Sequence, residues 1–571
     1  MTLRILTILA LAAPLHFAAP VASADEAAGA YLAARQARYN SDYEAAAEYY
    51  ARALTKDPTN PAILEYSVAA MLSLGRFEGA LPLAKRMEED EYRSQIAQMV
   101  LLTDEVARGD YRATLARIKR ERGVGPLADG LISAWATLGE GDMAQALNLF
   151  DAVAKDAGLR SFAMYHKALA LASVGDFESA DRIYAGEAGG PMQATRSGII
   201  AWAEVLSQLE RNQDAIKVLD ETFGNSQDPQ IADLRARLVA GERITFSRVS
   251  SPREGIAEVF YSLGRALLQD TGEDYVLLYS RLTEYLDPDH IDARIMSAEL
   301  LEKIGRYKLA EVAFSGVPAD HPSFHAAELG RAEVLRSEGE TDAAVEVLEA
   351  LRISHPQLPL VHAATGDLYR QLEKFELAIG AYDEAVDLYA AQDNPQWFVL
   401  YARAISHERL GNWESAEADF RHALELNPEE PQVMNYLGYS LVEKQTKLDE
   451  ALDLIERAAA AQPDSGYIID SLGWVLYRLG RYDEAVGHME RASELMPVDP
   501  VVNDHLGDVL WAVGRFTEAE FQWKRALSFV DKDKPSPDVN PERIRRKLEL
   551  GLDQVLKDEG APPLKVKNDD G

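Results

Sequence analysis

Apolar residues recur at spacings of three and four along most of the chain, which is the pattern of amphipathic helices. The stretch "LGWVLYRLGRYDEAVGHMERASELMP" (472–497) contains one apolar run, a break at Gly480, and a second run that ends before Pro497. Glycine weakens a helix and proline cannot continue one, so both mark boundaries. Runs of about 12 residues are marginal as isolated helices and must be stabilised by packing. The pattern therefore predicts an all-α protein built from short helix pairs.

The pattern repeats with a period of about 34 residues. Gly473, Gly480 and Ala485 recur 34 positions later as Gly507, Gly514 and Ala519. A small residue occupies the equivalent place of the second helix further upstream, at Ala46, Ala80, Thr114, Ala146, Ala180, Ala215, Ala310, Ala344, Ala378, Ala416 and Ala451. Helices that cross closely leave room only for small side chains at the contact. A fixed period of this size predicts an α-solenoid.

The small, aromatic and proline positions of these units resemble the tetratricopeptide repeat (TPR). The resemblance extends over nearly all of the chain after residue 24 and accommodates about fourteen helix pairs. It implies a TPR superhelix, made of two arrays and a C-terminal capping helix. It also implies a scaffold that binds other proteins and carries no catalytic site.

The register of the repeat divides the chain into segments. It predicts a signal peptide at 1–24, an N-terminal array at 25–226 and a C-terminal array at 254–530. In the irregular junction 227–253 the helical pattern lapses, which fits either a hinge or one irregular unit with a long loop. Asn540 and Pro541 are typical of a helix start, so 531–557 is predicted to cap the last repeat and 558–571 to be a disordered tail.

Residues 1–24 have the features of a secretory signal peptide. Arg4 precedes an apolar run, and small residues at Ala22 and Ala24 form a cleavage site. An uncleaved anchor is the alternative, but Pro14 interrupts a run that is already short for a membrane span. The chain has no cysteine, so we expect neither disulfides nor a cysteine-linked lipid anchor. The expected location is the periplasm, with no integral membrane segment in the mature protein.

The formal net charge is −34, from 93 acidic and 59 basic residues. A surface of this sign repels phosphate backbones, so nucleic acid is not an expected partner. The acidity fits either a basic partner or simple solubility. No phosphate-binding loop, HExxH or GxSxG motif occurs, and we expect no enzymatic activity, no cofactor and no metal site.

The last repeats offer a candidate peptide-binding groove. In TPR proteins the fifth, ninth, twelfth and thirteenth positions of the first helix usually line the inner surface. The resemblance places there Asn435, Tyr439, Asp470, Trp474, Tyr477, Arg478, Asp504, Asp508 and Trp511. Aromatic rings beside convergent polar groups suit peptide binding. The alternative is that the rings fill the seam between successive repeats. The acidic residues disfavour a clamp for a carboxylate and favour a cationic or backbone-presenting partner.

The signal and the ending "DSLGWVLYRLGRYDEA…KLELGL" also resemble bacterial envelope TPR lipoproteins. Some of these are adaptors that bring cell-wall hydrolases to carboxyl-terminal processing proteases of the periplasm. The likeness departs at the missing lipid-anchor cysteine. It implies an exported scaffold or adaptor; the alternative is a structural subunit of an envelope assembly or of a polysaccharide export or secretion machine.

Overall fold

The computed structural model describes residues 26–188, 190, 195–224, 228–531 and 539–564. Within these ranges every regular element is a helix. The predicted signal peptide (1–24) and the last seven residues of the predicted tail lie outside them.

The helices fall into two compact units, of which unit 1 ends at Leu348 and unit 2 begins at Glu349. The helices up to this division are α1 Glu26–Tyr39, α2 Tyr43–Leu54, α3 Pro61–Ser73, α4 Phe77–Glu89, α5 Gln95–Ala107, α6 Tyr111–Lys119, α7 Pro126–Gly139, α8 Met143–Val153, α9 Arg160–Ser173, α10 Phe177–Tyr184, α11 Arg196–Gln208, α12 Asn212–Phe223, α13 Pro229–Val239, α14 Pro252–Leu267, α15 Glu273–Leu286, α16 Ile291–Lys303, α17 Tyr307–Ser315, α18 Phe324–Glu338 and α19 Thr341–Ser354, within which the division falls.

The remaining helices are α20 Pro359–Gln371, α21 Phe375–Ala391, α22 Trp397–Arg409, α23 Trp413–Leu426, α24 Pro431–Glu443, α25 Leu448–Ala461, α26 Gly466–Arg478, α27 Tyr482–Leu495, α28 Pro500–Ala512, α29 Phe516–Phe529, α30 Pro541–Leu550 and α31 Leu552–Asp558. Helices α1 to α12 and α14 to α29 alternate as first and second members of a repeat, which confirms the predicted succession of helix pairs.

The two helices of a pair cross so closely that the small residues are required. Ala485 is fully buried, and a Cβ added to Gly473 would lie 2.3 Å from the sulfur of Met489. One repeat later, a Cβ on Gly507 would lie 2.4 Å from the ring of Trp523. Contacts below 3.0 Å would force the helices apart, so the period of small residues records the packing of each pair.

The turn inside each pair uses a left-handed backbone. Gly480 and Gly514 have φ of 77° and 81°, and glycine adopts such angles without steric cost. Glu210 and Glu373 occupy the same place in two other pairs, with φ of 62° and 57°. A non-glycine residue is disfavoured there, so these two turns are held by the packing of their helices.

The chain returns onto itself within unit 1. Helix α13 lies inside the predicted junction, and the non-helical segment 240–251 follows it. This segment is fastened to α11, because the backbone NH and hydroxyl of Ser247 both donate to Glu204 at 2.9 Å. Helices α14 and α15 then pack against the first helices of earlier repeats, chiefly α7 with α14 and α3 with α15. They cover the inner face of these repeats.

Close contacts fix this return. A Cβ on Gly255 in α14 would lie 2.3 Å from the indole of Trp135 in α7. Phe77 and Tyr285 stack with their ring centroids 3.7 Å apart. Residues 254–348 therefore belong to the same unit as the N-terminal repeats, and α14 and α15 share one apolar core with them. The boundary between the two units therefore follows residue 348 and does not lie at the junction 227–253. Helices α14 and α15 bury apolar surface on the inner face of α3 to α9, and this burial favours the return over an extended continuation of the solenoid.

Candidate functional site

The predicted aromatic groove residues lie in the seam between repeats of unit 2. Trp474 and Tyr477 in α26 are each only 8% exposed. Their ring centroids are 4.9 Å apart in a stacked arrangement, and Trp474 also stacks on His505 of α28 at 4.0 Å and 12°. The indole NH of Trp474 donates to Glu443 at 2.7 Å. Of the two alternatives, a peptide-binding groove or the seam between successive repeats, these two rings occupy the seam.

Asp470 is buried beneath this stack. Its carboxylate lies 3.0 Å from Nδ1 of His505. Burial alone would lower the pKa of His505, but the attraction of Asp470 raises it above its ordinary value. Asp470 is therefore engaged by an internal partner.

Asp504 and Asp508 of α28 bind a lysine from the chain's own C-terminal helix. The ammonium of Lys547 lies 2.8 Å from Asp504 and 2.6 Å from Asp508, and the lysine side chain has no exposed surface. Trp523 also donates its indole NH to Asp508 at 2.9 Å. Desolvation raises the pKa of Asp504 although Lys547 opposes it. The sequence interpretation favoured a cationic or backbone-presenting partner near these carboxylates, and in the structure α30 already supplies a cation to both of them.

The remaining predicted residues also have internal contacts. Trp511 donates to Asp553 of α31 at 2.9 Å, and Arg478 lies 3.3 Å from Glu443. Tyr439 packs against the apolar core of unit 2. Asn435 is the exception, because its side-chain oxygen is buried without a hydrogen-bond partner among the described residues. The nine residues lie in one region, but most of their polar groups are already satisfied.

An open concavity is present instead in unit 1, where the sequence did not predict a site. It is a cavity of about 690 Å³, a size typical of ligand-binding clefts. Its walls come from α9, from the start of α11, from α14, α16 and α18, and from Asp228 before α13. Residues from several repeats thus line this cavity. It lies on a part of the inner face that α14 and α15 do not fill.

One end of the cavity is a closed network of charges. Arg196 pairs with Asp228 at 2.7 Å and lies 3.9 Å from Asp292. Arg248 lies 3.5 Å from the same Asp292. Glu258 accepts a hydrogen bond from Tyr165 at 3.0 Å and is 3.1 Å from His290.

His290 belongs to the same network. Burial lowers the pKa of His290, but its contact with Glu258 and the nearby Asp292 raise it above the ordinary value. Charges satisfied in this way support the walls and are poor candidates for direct ligand contacts.

The middle and the other end of the cavity have a different character. Phe162, Tyr261, Ile295 and Met296 form an apolar patch. The Tyr261 hydroxyl has no hydrogen-bond partner among the described residues, and burial raises its pKa, so it stays a neutral donor. Beyond the patch lie the exposed side chains of Arg265 and Glu299, and neither makes a hydrogen bond or ion pair within the described part of the chain.

A helical stripe is the signal that could have indicated this site. Glu258, Tyr261, Ser262 and Arg265 occupy one face of α14 at spacings of three and four. The sequence does not show, however, that α14 turns this face toward α9 and α11, because that follows from the return of the chain.

The described residues contain no cluster of three or more His, Asp or Glu side chains that could hold a metal ion. Nor is any helix in the described ranges long and apolar enough to cross a bilayer.

Comparison with known proteins identifies the repeat. Models of the tetratricopeptide repeat match residues 37–101, 295–359, 329–395, 401–466 and 467–495. A TPR repeat-containing protein of Pseudomonas aeruginosa is 32% identical over 162 residues, which are 28% of this chain. They are 26% of that protein, so the match spans about a quarter of the relative.

Two solved structures are similar over most of the chain. One is the Cut9–Hcn1 hetero-tetramer of the APC/C, with 15% identity, 92% of this chain and 96% of that chain covered, and a TM-score of 0.38. The other is yeast Tom70, with 15% identity, 93% and 98% covered, and a TM-score of 0.35.

Proposed function

Because the chain carries tetratricopeptide repeats, we propose that it is a non-catalytic scaffold that binds other proteins in the bacterial cell envelope. Proteins built from this repeat bind other proteins and are generally not catalysts. The observation that carries the proposal is the cavity of unit 1, where residues of successive repeats converge on an apolar patch with exposed charges. Such a surface suits a protein segment better than a reacting small molecule.

The envelope location rests on residues 1–24, whose basic start, apolar run and small residues suit export. An adaptor role rests on the resemblance of the last repeats to envelope adaptors of processing proteases. In this role the scaffold would hold a wall hydrolase and a protease together.

Fractionation tests the location. A tagged chain expressed in a Gram-negative host should be released with the periplasmic fraction and should begin after Ala24. A variant with Leu11→Arg in the apolar run should remain in the cytoplasm at full length, because a charge there blocks recognition of the signal. Retention of the unaltered chain in the cytoplasm would refute the envelope assignment.

Cross-linking followed by affinity capture tests the scaffold role. We expect the tagged chain to recover a processing protease together with wall hydrolases from envelope extracts. Ala266→Trp, which fills the cavity, should lose this capture, whereas Ala51→Trp on an exposed part of α2 should keep it. Recovery of secretion or polysaccharide-export components alone would refute the adaptor role. Recovery of no protein would refute the scaffold.

A further inference from the structure

We infer that the cavity of unit 1 recognises a partner segment in which a large apolar side chain lies next to a lysine or arginine. This inference rests on the proposed scaffold function and names the chemistry of its ligand. Neither the repeat pattern nor any compared protein supplies this chemistry.

The apolar part of the ligand follows from the middle of the cavity. Tyr261 and Met296 lie on adjacent helices, and Phe162 closes the patch from α9. Aromatic rings and a methionine adapt to a large apolar side chain, and burying such a side chain favours binding. The unpaired Tyr261 hydroxyl can donate to a peptide carbonyl beside this anchor, as buried tyrosines in binding sites commonly do.

The basic part follows from the distribution of charge. The carboxylates that line the cavity are Asp228, Glu258, Asp292 and Glu299, whereas the guanidinium groups are those of Arg196 and Arg265. Three of these carboxylates are held by internal partners, which leaves Glu299 as the exposed one without an ion pair.

A cation placed beside Glu299 gains an attraction that no internal group supplies. Arg265 is close enough to act on the charge of Glu299 but makes no ion pair with it among the described residues. It remains available for a peptide carbonyl. The net charge of −34 adds a long-range attraction for the same sign of ligand.

A phage-displayed library of random 12-residue peptides, selected on the full purified chain, tests this inference. We expect enrichment of peptides with Phe, Trp, Leu or Met within three positions of Lys or Arg. A fluorescein-labelled peptide from this set should bind at least tenfold more weakly to Ala266→Trp and keep its affinity for Ala51→Trp. Circular dichroism establishes that each variant is folded.

A specificity swap tests the role of Glu299. Selection on Glu299→Lys should replace Lys and Arg by Asp and Glu at the position beside the anchor. Glu302→Lys changes net charge equally on the same helix but outside the cavity lining, and should leave the selected motif basic. A basic motif that persists on Glu299→Lys would overturn the inference.

Other outcomes separate this inference from the scaffold function. Peptides that bind Ala266→Trp and the unaltered chain equally would move the binding site elsewhere and leave the scaffold function intact. Enrichment of acidic or uncharged motifs would overturn the ligand class while supporting the cavity. A dimer that dissociates in Ala266→Trp would identify a second copy of the chain as the occupant and overturn the inference.

Discussion

The indole of Trp474 is in contact through its ring and through its nitrogen. His505 and Tyr477 both stack on the ring, and Glu443 accepts the indole NH. A side chain with these contacts and 8% exposure joins adjacent repeats. Its energetic role is therefore that of a core residue, although its register position is one that lines the groove in other TPR proteins.

Replacement of this ring should destabilise unit 2. We expect Trp474→Ala to lower the free energy of unfolding by about 3–5 kcal/mol, because a large cavity would form and Glu443 would lose the indole NH, keeping only Arg478 as a donor among the described residues. Urea unfolding followed by circular dichroism measures the change. Tyr467→Ala removes an aromatic ring that is 65% exposed on the same helix and should cost less than about 1 kcal/mol. Equal effects of the two substitutions would contradict the seam assignment.

Two buried histidines should titrate with opposite consequences for stability. His166 accepts the indole NH of Trp135 at 3.2 Å, and complete burial lowers its pKa to about 4. Its folded-state pKa is below the ordinary 6.5, so its contribution is present above about pH 6.5 and is lost as the pH falls toward 4. The loss amounts to about 3 kcal/mol. His505 has a raised pKa, so its contribution is present below about pH 6.5 and is lost as the pH rises through its folded-state pKa.

Urea unfolding between pH 4 and pH 8 tests both signs. His166→Gln should make the acid-side loss of stability smaller, and His505→Gln should make the alkaline-side loss smaller. The protection of α14 amides, corrected for the intrinsic exchange rate at each pH, should fall at acid pH in the unaltered chain, because His166 also contacts Ser262 in that helix at 3.1 Å. If the difference in the free energy of unfolding between a variant and the unaltered chain does not change with pH, the pKa shift assigned to that histidine is contradicted.

The return of α14 onto α7 depends on the missing side chain of Gly255. A methyl group there would meet the ring of Trp135 at 2.3 Å. We therefore expect Gly255→Ala to lower stability by about 1–3 kcal/mol, despite the better helix propensity of alanine. Gly380→Ala is the matched control, because its Cβ would meet nothing within 4 Å and should raise stability by up to about 1 kcal/mol. Hydrogen exchange should locate the first loss in α14 and α7.

A buried lysine helps to hold the C-terminal helix α30 on the last repeat. Lys547→Met should cost about 3–5 kcal/mol, because Asp504 would remain buried without its cation and Asp508 would keep only the cation of Arg543, at 3.5 Å, among the described residues. Faster hydrogen exchange of 541–558 with little change in α20 to α25 would show that the loss is local. Arg545→Met removes a largely exposed charge from the same helix and should change stability by less than about 1 kcal/mol.

The sequence predicts the helix pairs more completely than it predicts which other helices pack over their inner surfaces. Ala80 and Ala485 recur because each pair needs a small residue at the same crossing, so a local requirement appears as a period. Gly255 meets Trp135 once, across 120 positions, and leaves no period. The groove residues share this difficulty, because Lys547 reaches Asp508 through a contact made only at the end of the array. Repetition identifies the fold, whereas single long-range contacts determine which inner surface stays open.

The excess of acidic residues acts over the whole molecule and should appear in the kinetics of binding. Charges that steer a basic segment toward the cavity are screened beyond about 10 Å at 0.1 M salt. Raising sodium chloride from 50 to 500 mM should therefore slow association of a selected basic peptide by about tenfold or more. Dissociation should change less, because the apolar anchor between Tyr261 and Met296 is little affected by screening.

Stopped-flow anisotropy with the labelled peptide measures both rates. In Glu299→Lys the residual salt dependence of association should persist, since the long-range field comes from the whole chain, while dissociation becomes faster with the loss of one local contact. An association rate that does not respond to salt would contradict electrostatic steering. A dissociation rate unaffected by Glu299→Lys would show that the acidic surface attracts the segment without this carboxylate binding it.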